Sequence, residues 1–164
     1  MDESSDYRPC AGVMLLNREG LVFIGRRIAP AADHAPAHIW QMPQGGIDEG
    51  EDPYDAALRE LREETNVVTT SLLAAAPDWY RYDVPGGMVR GRNVYKGQRQ
   101  KWFALRFEGE DSEIDIAHPA GGAHAEFDAW RWETLERLPE LVVPFKRPVY
   151  ERLIEVFRSH IERS

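Results

Sequence analysis

Apolar residues first cluster from Cys10 to Leu16 and again from Leu21 to Gly25, on either side of the turn-forming Asn17-Arg18-Glu19-Gly20. Two short runs parted by such a turn predict a β-hairpin. Residues 29 to 37 hold two prolines and no periodicity, so a loop is expected there, ahead of a short strand around Ile39 to Met42. Gly45, Gly46 and Gly50 then frame a loop whose backbone can approach a ligand closely. From Asp52 the period lengthens. Tyr54, Leu58, Leu61 and Thr65 recur on one face of a predicted helix, with Asp52 suited to the N-cap and Pro53 to the first helical position. Asn66 tolerates the left-handed conformation that ends helices. Strands are expected near Thr69 to Ala75, Gln100 to Phe107 and Glu126 to Trp132, separated by Pro- and Gly-bearing loops. Val149, Leu153, Val156, Phe157 and His160 share one face of a closing helix.

Two or more helices packed on a sheet, with no internal repeat and no interior linker, give an α/β or α+β layout. The length of 164 residues and the 43% hydrophobic content suit a single domain spanning residues 1–164. The formal charge of -8 sets the molecule as a whole against nucleic-acid phosphates and anionic lipid, which argues against a general nucleic-acid-binding domain. Any polyphosphate must be held by a local basic patch or by bound cations. Cys10 is the single cysteine, and none of the five histidines forms a metal-ligand pattern with it. The acidic start Met1-Asp2-Glu3-Ser4-Ser5-Asp6 is unlike a signal peptide, and no apolar run approaches membrane-spanning length. A cytoplasmic protein with no membrane association and no obligate protein partner is expected.

On the helix from Asp52, Glu60, Glu63 and Glu64 are spaced i, i+3 and i+4, so three carboxylates converge beside the apolar stripe, on a face expected to look to solvent. Taken alone they read as a charged helix face balanced by Arg59 and Arg62. The surroundings change this. Gly45 is followed after five residues by Glu51, and after seven more by Arg59-Glu60-Leu61-Arg62-Glu63-Glu64-Thr65-Asn66-Val67. This resembles the signature box of Nudix hydrolases along its whole length, with one departure: Asn66 stands where the family usually has Gly, which should leave the fold intact at a small cost in the cap. Tyr7-Arg8-Pro9, Trp40 to Gly46, Gly97 to Phe103, Glu126 to Trp132 and Pro144 to Arg147 extend the resemblance towards the bacterial RNA pyrophosphohydrolases and dinucleoside polyphosphate hydrolases.

That resemblance implies an α/β/α sandwich around a mixed sheet and metal-dependent hydrolysis of phosphoanhydride bonds in nucleoside polyphosphates. The cofactor implied is Mg²⁺, with Mn²⁺ or another divalent cation as substitutes; hard cations take carboxylate and carbonyl oxygens. By matching position, Glu60, Glu63, Glu64, Glu126 and the Gly45 carbonyl would hold metal. Glu63, Glu64 and Glu126 would be catalytic, with the identity of the general base left open. Glu51 would pair with Arg59 to fix the loop on the helix. Arg8, Arg27, Gln98, Lys101, Phe145 and Lys146 would hold substrate, the cations on phosphates and Phe145 on a base. Trp79, Tyr80 and Tyr82 are further aromatic candidates, with core packing as the alternative. The substrate is left as either a diadenosine polyphosphate or the triphosphorylated 5′ end of RNA. A non-catalytic nucleotide-binding or sensor module would be expected to lack the box carboxylates, which this chain retains.

Overall fold

A computed structural model of the chain describes residues 6–28, 39–122 and 124–162. The loop expected over residues 29 to 37 lies outside them. The predicted hairpin is present as β1 (Tyr7–Leu16) and β2 (Val22–Arg27). Asn17 makes its turn, its side-chain oxygen accepting from the amides of Glu19 at 3.0 Å and Leu21 at 2.9 Å. The strands pair at Leu16 and Val22, beside the turn, and then part. Into the gap come β3 (Trp40–Gln41) against β2 and β4 (Gln44–Gly46) against β1.

The long partner of β1 is β7 (Asn93–Phe107), parallel to it from Tyr7 opposite Gly97 to Leu16 opposite Arg106. β5 (Thr70–Ala75) and β6 (Tyr80–Arg90) pair antiparallel with β7, and β8 (Phe127–Glu133) with β2. The core path of this mixed sheet is β3-β2-β1-β7-β5. β6 and the first part of β7 correct the expectation of a loop between residues 75 and 100. Their outer half is exposed on one face, only half-buried on the other and broken by Pro85-Gly86-Gly87, so it carries no alternating hydrophobic pattern, and cross-strand hydrogen bonding defines it.

α1 (Pro53–Thr65) starts as its sequence demands. The Asp52 carboxylate accepts from the amides of Tyr54 at 3.0 Å and Asp55 at 3.2 Å, a cap contributing about 1 kcal/mol. The helix ends at Asn66, whose φ is 66°. The Asn66 side-chain amide donates to the carbonyls of Asp115 at 2.8 Å and His118 at 2.9 Å, tying the helix end to the segment before β8 as a glycine could not. Leu61, Ala56 and Ala57 form the buried face, against Val13, Leu15, Phe103 and Leu105; burying Leu61 contributes about 1.5–3 kcal/mol. Tyr54 and Leu58, expected on that face, are half-buried.

Across the sheet, α2 (Leu138–Leu141) leads to α3 (Arg147–Glu162), which sets Val149, Tyr150, Leu153, Ile154 and Phe157 on Met14, Ile24 and Trp102. His160 is exposed rather than on this face; Ile154 and Ile161 carry the stripe instead, since the 3.6-residue repeat drifts away from a fixed spacing. The architecture is the α/β/α sandwich around a mixed sheet. No helix among the described residues is long and apolar enough to cross a membrane.

Candidate active site

β4 faces Cys10 to Gly12 of β1 and alternates its side-chain directions, so adjacent residues look to opposite faces of the sheet. Gly45 looks towards α1, where a Cβ would lie 2.2 Å from the Glu60 carboxyl. Gly46 looks the other way, where a Cβ would lie 2.2 Å from an Arg8 guanidinium nitrogen. Only glycine lets a carboxylate and a guanidinium press this closely on the two sides of one strand.

Arg59 organises the carboxylate side. Its guanidinium donates to both Glu51 oxygens at 2.9 Å, to the Gly46 carbonyl at 2.8 Å, to Glu60 at 2.9 Å and to Glu63 at 3.3 Å. The bidentate bond to Arg59 holds the Glu51 carboxyl below the usual carboxylate range, and the same bond raises Arg59. Burial pushes the Glu60 carboxyl up despite Arg59.

Glu64 differs from the expected solvent-facing residue: it is buried, at 7% exposure, and its Oε2 has no hydrogen-bond partner. Burial first, and then the charges of Glu126 and Glu60, push its carboxyl well above the usual range, while the backbone amide of Gln44 supports the ionised form. Its helix position lies between the apolar stripe and the open face, and β4 closes over it. Among the described residues no three His, Cys, Asp or Glu side chains are already drawn together at metal-ligating spacing. Nevertheless the donor set fits a hard divalent cation. An orphaned carboxylate oxygen repelled by neighbouring glutamates, with Glu60 pressed on Gly45, is short of positive charge that a cation would supply.

On the other side lies a cationic and aromatic cleft. The Lys146 ammonium is buried, donates to Gln41 at 3.2 Å and stands 5.6 Å from the Tyr82 ring centre. Burial, then the charge of Arg27, lowers Lys146 to about 8, while Glu126 and Glu64 oppose the shift. Lys146 thus lies within electrostatic reach of Arg27, Glu64 and Glu126, and Glu64 within reach of Glu126. Phe145 packs on Tyr82 with ring centres 5.6 Å apart. Gln98 accepts from the Tyr82 hydroxyl at 2.7 Å and from Gln100 at 3.0 Å, and Gln100 also donates to Gln44 at 2.7 Å. Lys101 is set apart: strand alternation turns it to the opposite face from Gln98, where its ammonium donates to the Ala76 carbonyl at 2.5 Å. Of the aromatic candidates, Tyr82 is buried, whereas Trp79 is 40% exposed and carries the Arg99 guanidinium 4.5 Å above its ring. Cys10 lies at the cleft floor, fully buried, with its thiol pushed up to about 11 by burial.

The NUDIX domain family model matches residues 6–153, nearly the whole chain. The chain belongs to the Nudix family. It is 58% identical over 159 residues to a Rhodopseudomonas palustris protein named RNA pyrophosphohydrolase, covering 94% of each chain. It is 60% identical over 158 residues to an Afipia carboxidovorans protein of the same name, again covering 94% of each. Among solved structures it resembles a Caenorhabditis elegans Ap4A hydrolase binary complex, with TM-score 0.64, 19% identity, and coverage of 92% of this chain and 98% of that one. An Escherichia coli dihydroneopterin triphosphate pyrophosphohydrolase superposes with TM-score 0.63 at 18% identity, covering 91% and 97%. Those two likenesses bear on the fold.

Glu51, Arg59, Glu60, Glu63 and Glu64 sit on one loop-helix unit, and the fold brings Arg8 to the Gly46 side of β4 and Lys146 within reach of Arg27, Glu126 and Glu64. Reasoning from residue type misses Gln41 and Gln44. Uncharged amides carry no chemical signal alone, yet one accepts from Lys146 and the other supports Glu64 through its backbone and Gln100 through its side chain.

Proposed function

We propose that this Nudix protein is a metal-dependent hydrolase of nucleoside polyphosphates that removes pyrophosphate from the triphosphorylated 5′ end of RNA, acting in the cytoplasm as one catalytic unit. The observation that carries the reading is the pairing, across β4, of a buried and mutually repelling glutamate set with a cleft of buried cation and aromatic rings. The names of the Rhodopseudomonas and Afipia relatives support the RNA end as substrate. Diadenosine polyphosphates, with the same run of phosphates beside a nucleoside, are the second substrate.

Glu60, Glu63, Glu64, Glu126 and the Gly45 carbonyl would hold Mg²⁺, or Mn²⁺ in its place. When bound, the cation neutralises phosphate oxygens and acidifies water. Lys146, Arg27 and Arg8 bind the phosphate chain from the opposite side of β4, and Phe145 with Tyr82 seats a base. Gln98 fixes the Tyr82 hydroxyl. Lys101 supports the cleft wall through Ala76. Arg59 positions Glu60 and Glu63, and Glu51 holds Arg59 in place. Glu126, beside Glu64 and not sequestered by Arg59, takes the proton of the attacking water. Turnover with Mg²⁺ on triphosphorylated RNA and on diadenosine tetraphosphate, with products identified, tests this. Pyrophosphate and 5′-monophosphorylated RNA are expected, with a higher kcat/KM on RNA. Turnover of the dinucleotide alone would move the substrate assignment, and no metal-dependent turnover of either would overturn it.

A further inference from the structure

The β6–β7 hairpin lends Tyr82 and Gln98 to the cleft, while its outer part, residues 84 to 96, has no role in the chemistry proposed there. From Tyr80 to Gln100 it carries Arg81, Arg90, Arg92, Lys96 and Arg99 against Asp83 as its one acid, in a chain whose formal charge is -8. Some of these cations are engaged: Arg81 lies over the Tyr7 ring, Arg99 over Trp79, and Lys96 is 3.5 Å from Asp6. Arg90 and Arg92 are exposed at the tip, and no carboxylate among the described residues pairs with them. β7 meets β1 only from Gly97 onward, so the arm beyond that point stands clear of the sheet.

Its shape is specified. Arg90 pairs with Asn93 around Gly91 and Arg92, and Gly91 has φ of 60°, which suits the first central position of a tight two-residue turn. Between Asp83, which faces Gly97, and Met88, which faces Tyr95, β6 bulges through Pro85-Gly86-Gly87, with both glycines at positive φ. Such a bulge bends a hairpin. Cross-strand partners share a face, so Met88, Tyr95 and Arg90 lie on one side of the arm, and Val89 with Val94 on the other. Val89 and Val94 are 67% and 74% exposed, whereas Met88 and Tyr95 are half-buried, so the Arg90 side is the one turned to the body of the protein. The charge of Arg90 also reaches Cys10 on the cleft floor, together with those of Arg8, Lys146 and Glu60.

We propose that the hairpin is an RNA-holding arm, in which Arg90 overhangs the cleft and, with Arg92, binds the phosphodiesters that follow the 5′ nucleotides seated inside. This rests on the reading of the RNA 5′ end as substrate. A dinucleoside polyphosphate ends in its second nucleoside and offers no such phosphodiesters, so the arm favours a continuing strand.

The test uses the full chain with Arg90→Ala and Arg90→Ala/Arg92→Ala. KM is measured on a long triphosphorylated oligoribonucleotide, on a triphosphorylated dinucleotide and on diadenosine tetraphosphate. Loss of one charge-assisted contact should raise KM on the long RNA about tenfold or more. The two short substrates should be unchanged. The slope of log affinity against log salt for the long RNA should fall by roughly 0.7 per lost phosphate contact. Unchanged KM on long RNA, or an equal rise on all three, would overturn the arm. If the wild type releases no pyrophosphate from RNA, the substrate reading is what fails. The arm is then decided by fluorescence anisotropy of a 5′-hydroxyl oligonucleotide: a lower salt slope in the variant upholds it, and an identical slope sinks it.

Discussion

Glu64→Gln keeps the shape of the side chain and removes its charge. In the metal-free wild type, at a pH above its raised pKa, that charge is buried beside an unpartnered Oε2, with Glu126 and Glu60 repelling it. Its removal relieves a penalty on the order of 1–3 kcal/mol. For a chain of this size about 1 kcal/mol is 2–4 °C, so the metal-free variant should melt at the wild-type temperature or several degrees above it. Because the Glu64 pKa is raised by folding, the metal-free wild type loses stability as pH climbs from the ordinary carboxylate range through the raised value, and the variant should lack that slope. Mg²⁺ at a hundredfold excess over its Kd stabilises the wild type by about 2.7 kcal/mol, roughly 5–10 °C, and the variant should lose most of this. Its turnover should drop on the order of 10²–10³-fold, the scale of losing one preorganised electrostatic group. The assay is a thermal melt with and without Mg²⁺, across pH, beside pyrophosphate release. A metal-free variant that melts well below wild type, or keeps its Mg²⁺ shift and turnover, would refute the assignment of Glu64 as a strained, cation-seeking carboxylate.

Gly45→Ala places a Cβ 2.2 Å from the Glu60 carboxyl, so it should cut activity more than tenfold with helix content kept, as read by circular dichroism and turnover. Arg59→Lys replaces the bidentate contact with Glu51 by a point charge, and should lower the melting temperature by several degrees and fail to restore the activity lost in Arg59→Ala. Lys146 sits at about 8, below its unfolded value, so the cleft loses this charge above that pH; KM should rise there, and Lys146→Arg should remove the dependence. Cys10→Ser should retain turnover, since the thiol is buried and pushed up to about 11; inactivation in a properly folded variant would assign Cys10 a role.

Local chemistry made α1 legible in the sequence, because Asp52, Pro53 and Asn66 each state a boundary and the box has many fixed positions. The contacts of Arg59 with Glu51, Glu60 and Glu63 were legible to the same extent, because all four residues lie within one loop-helix unit. The burial of Glu64 was not, because helical periodicity gives an angle and not the presence of β4 above it. Nor does it show that Lys101 looks away from Gln98, which depends on β7 being one continuous strand into residues 93–99. That extension is held by pairing to β6 and carries no pattern of its own. The Asn66 departure reads as a weakened cap until the 115–118 segment, far along the chain, is brought to its side-chain amide.

In the proposed mechanism a cation joins the glutamates on one side of β4 to the phosphates held on the other. Calorimetric titration of a non-hydrolysable nucleoside polyphosphate, with and without Mg²⁺, measures that link directly. Affinity should be weak without Mg²⁺ and rise at least tenfold with it, a coupling of about 1.4 kcal/mol or more. At a pH below the raised Glu64 pKa, Mg²⁺ binding should also release protons as that carboxyl ionises. Equal affinity in the two conditions would contradict the cation bridge.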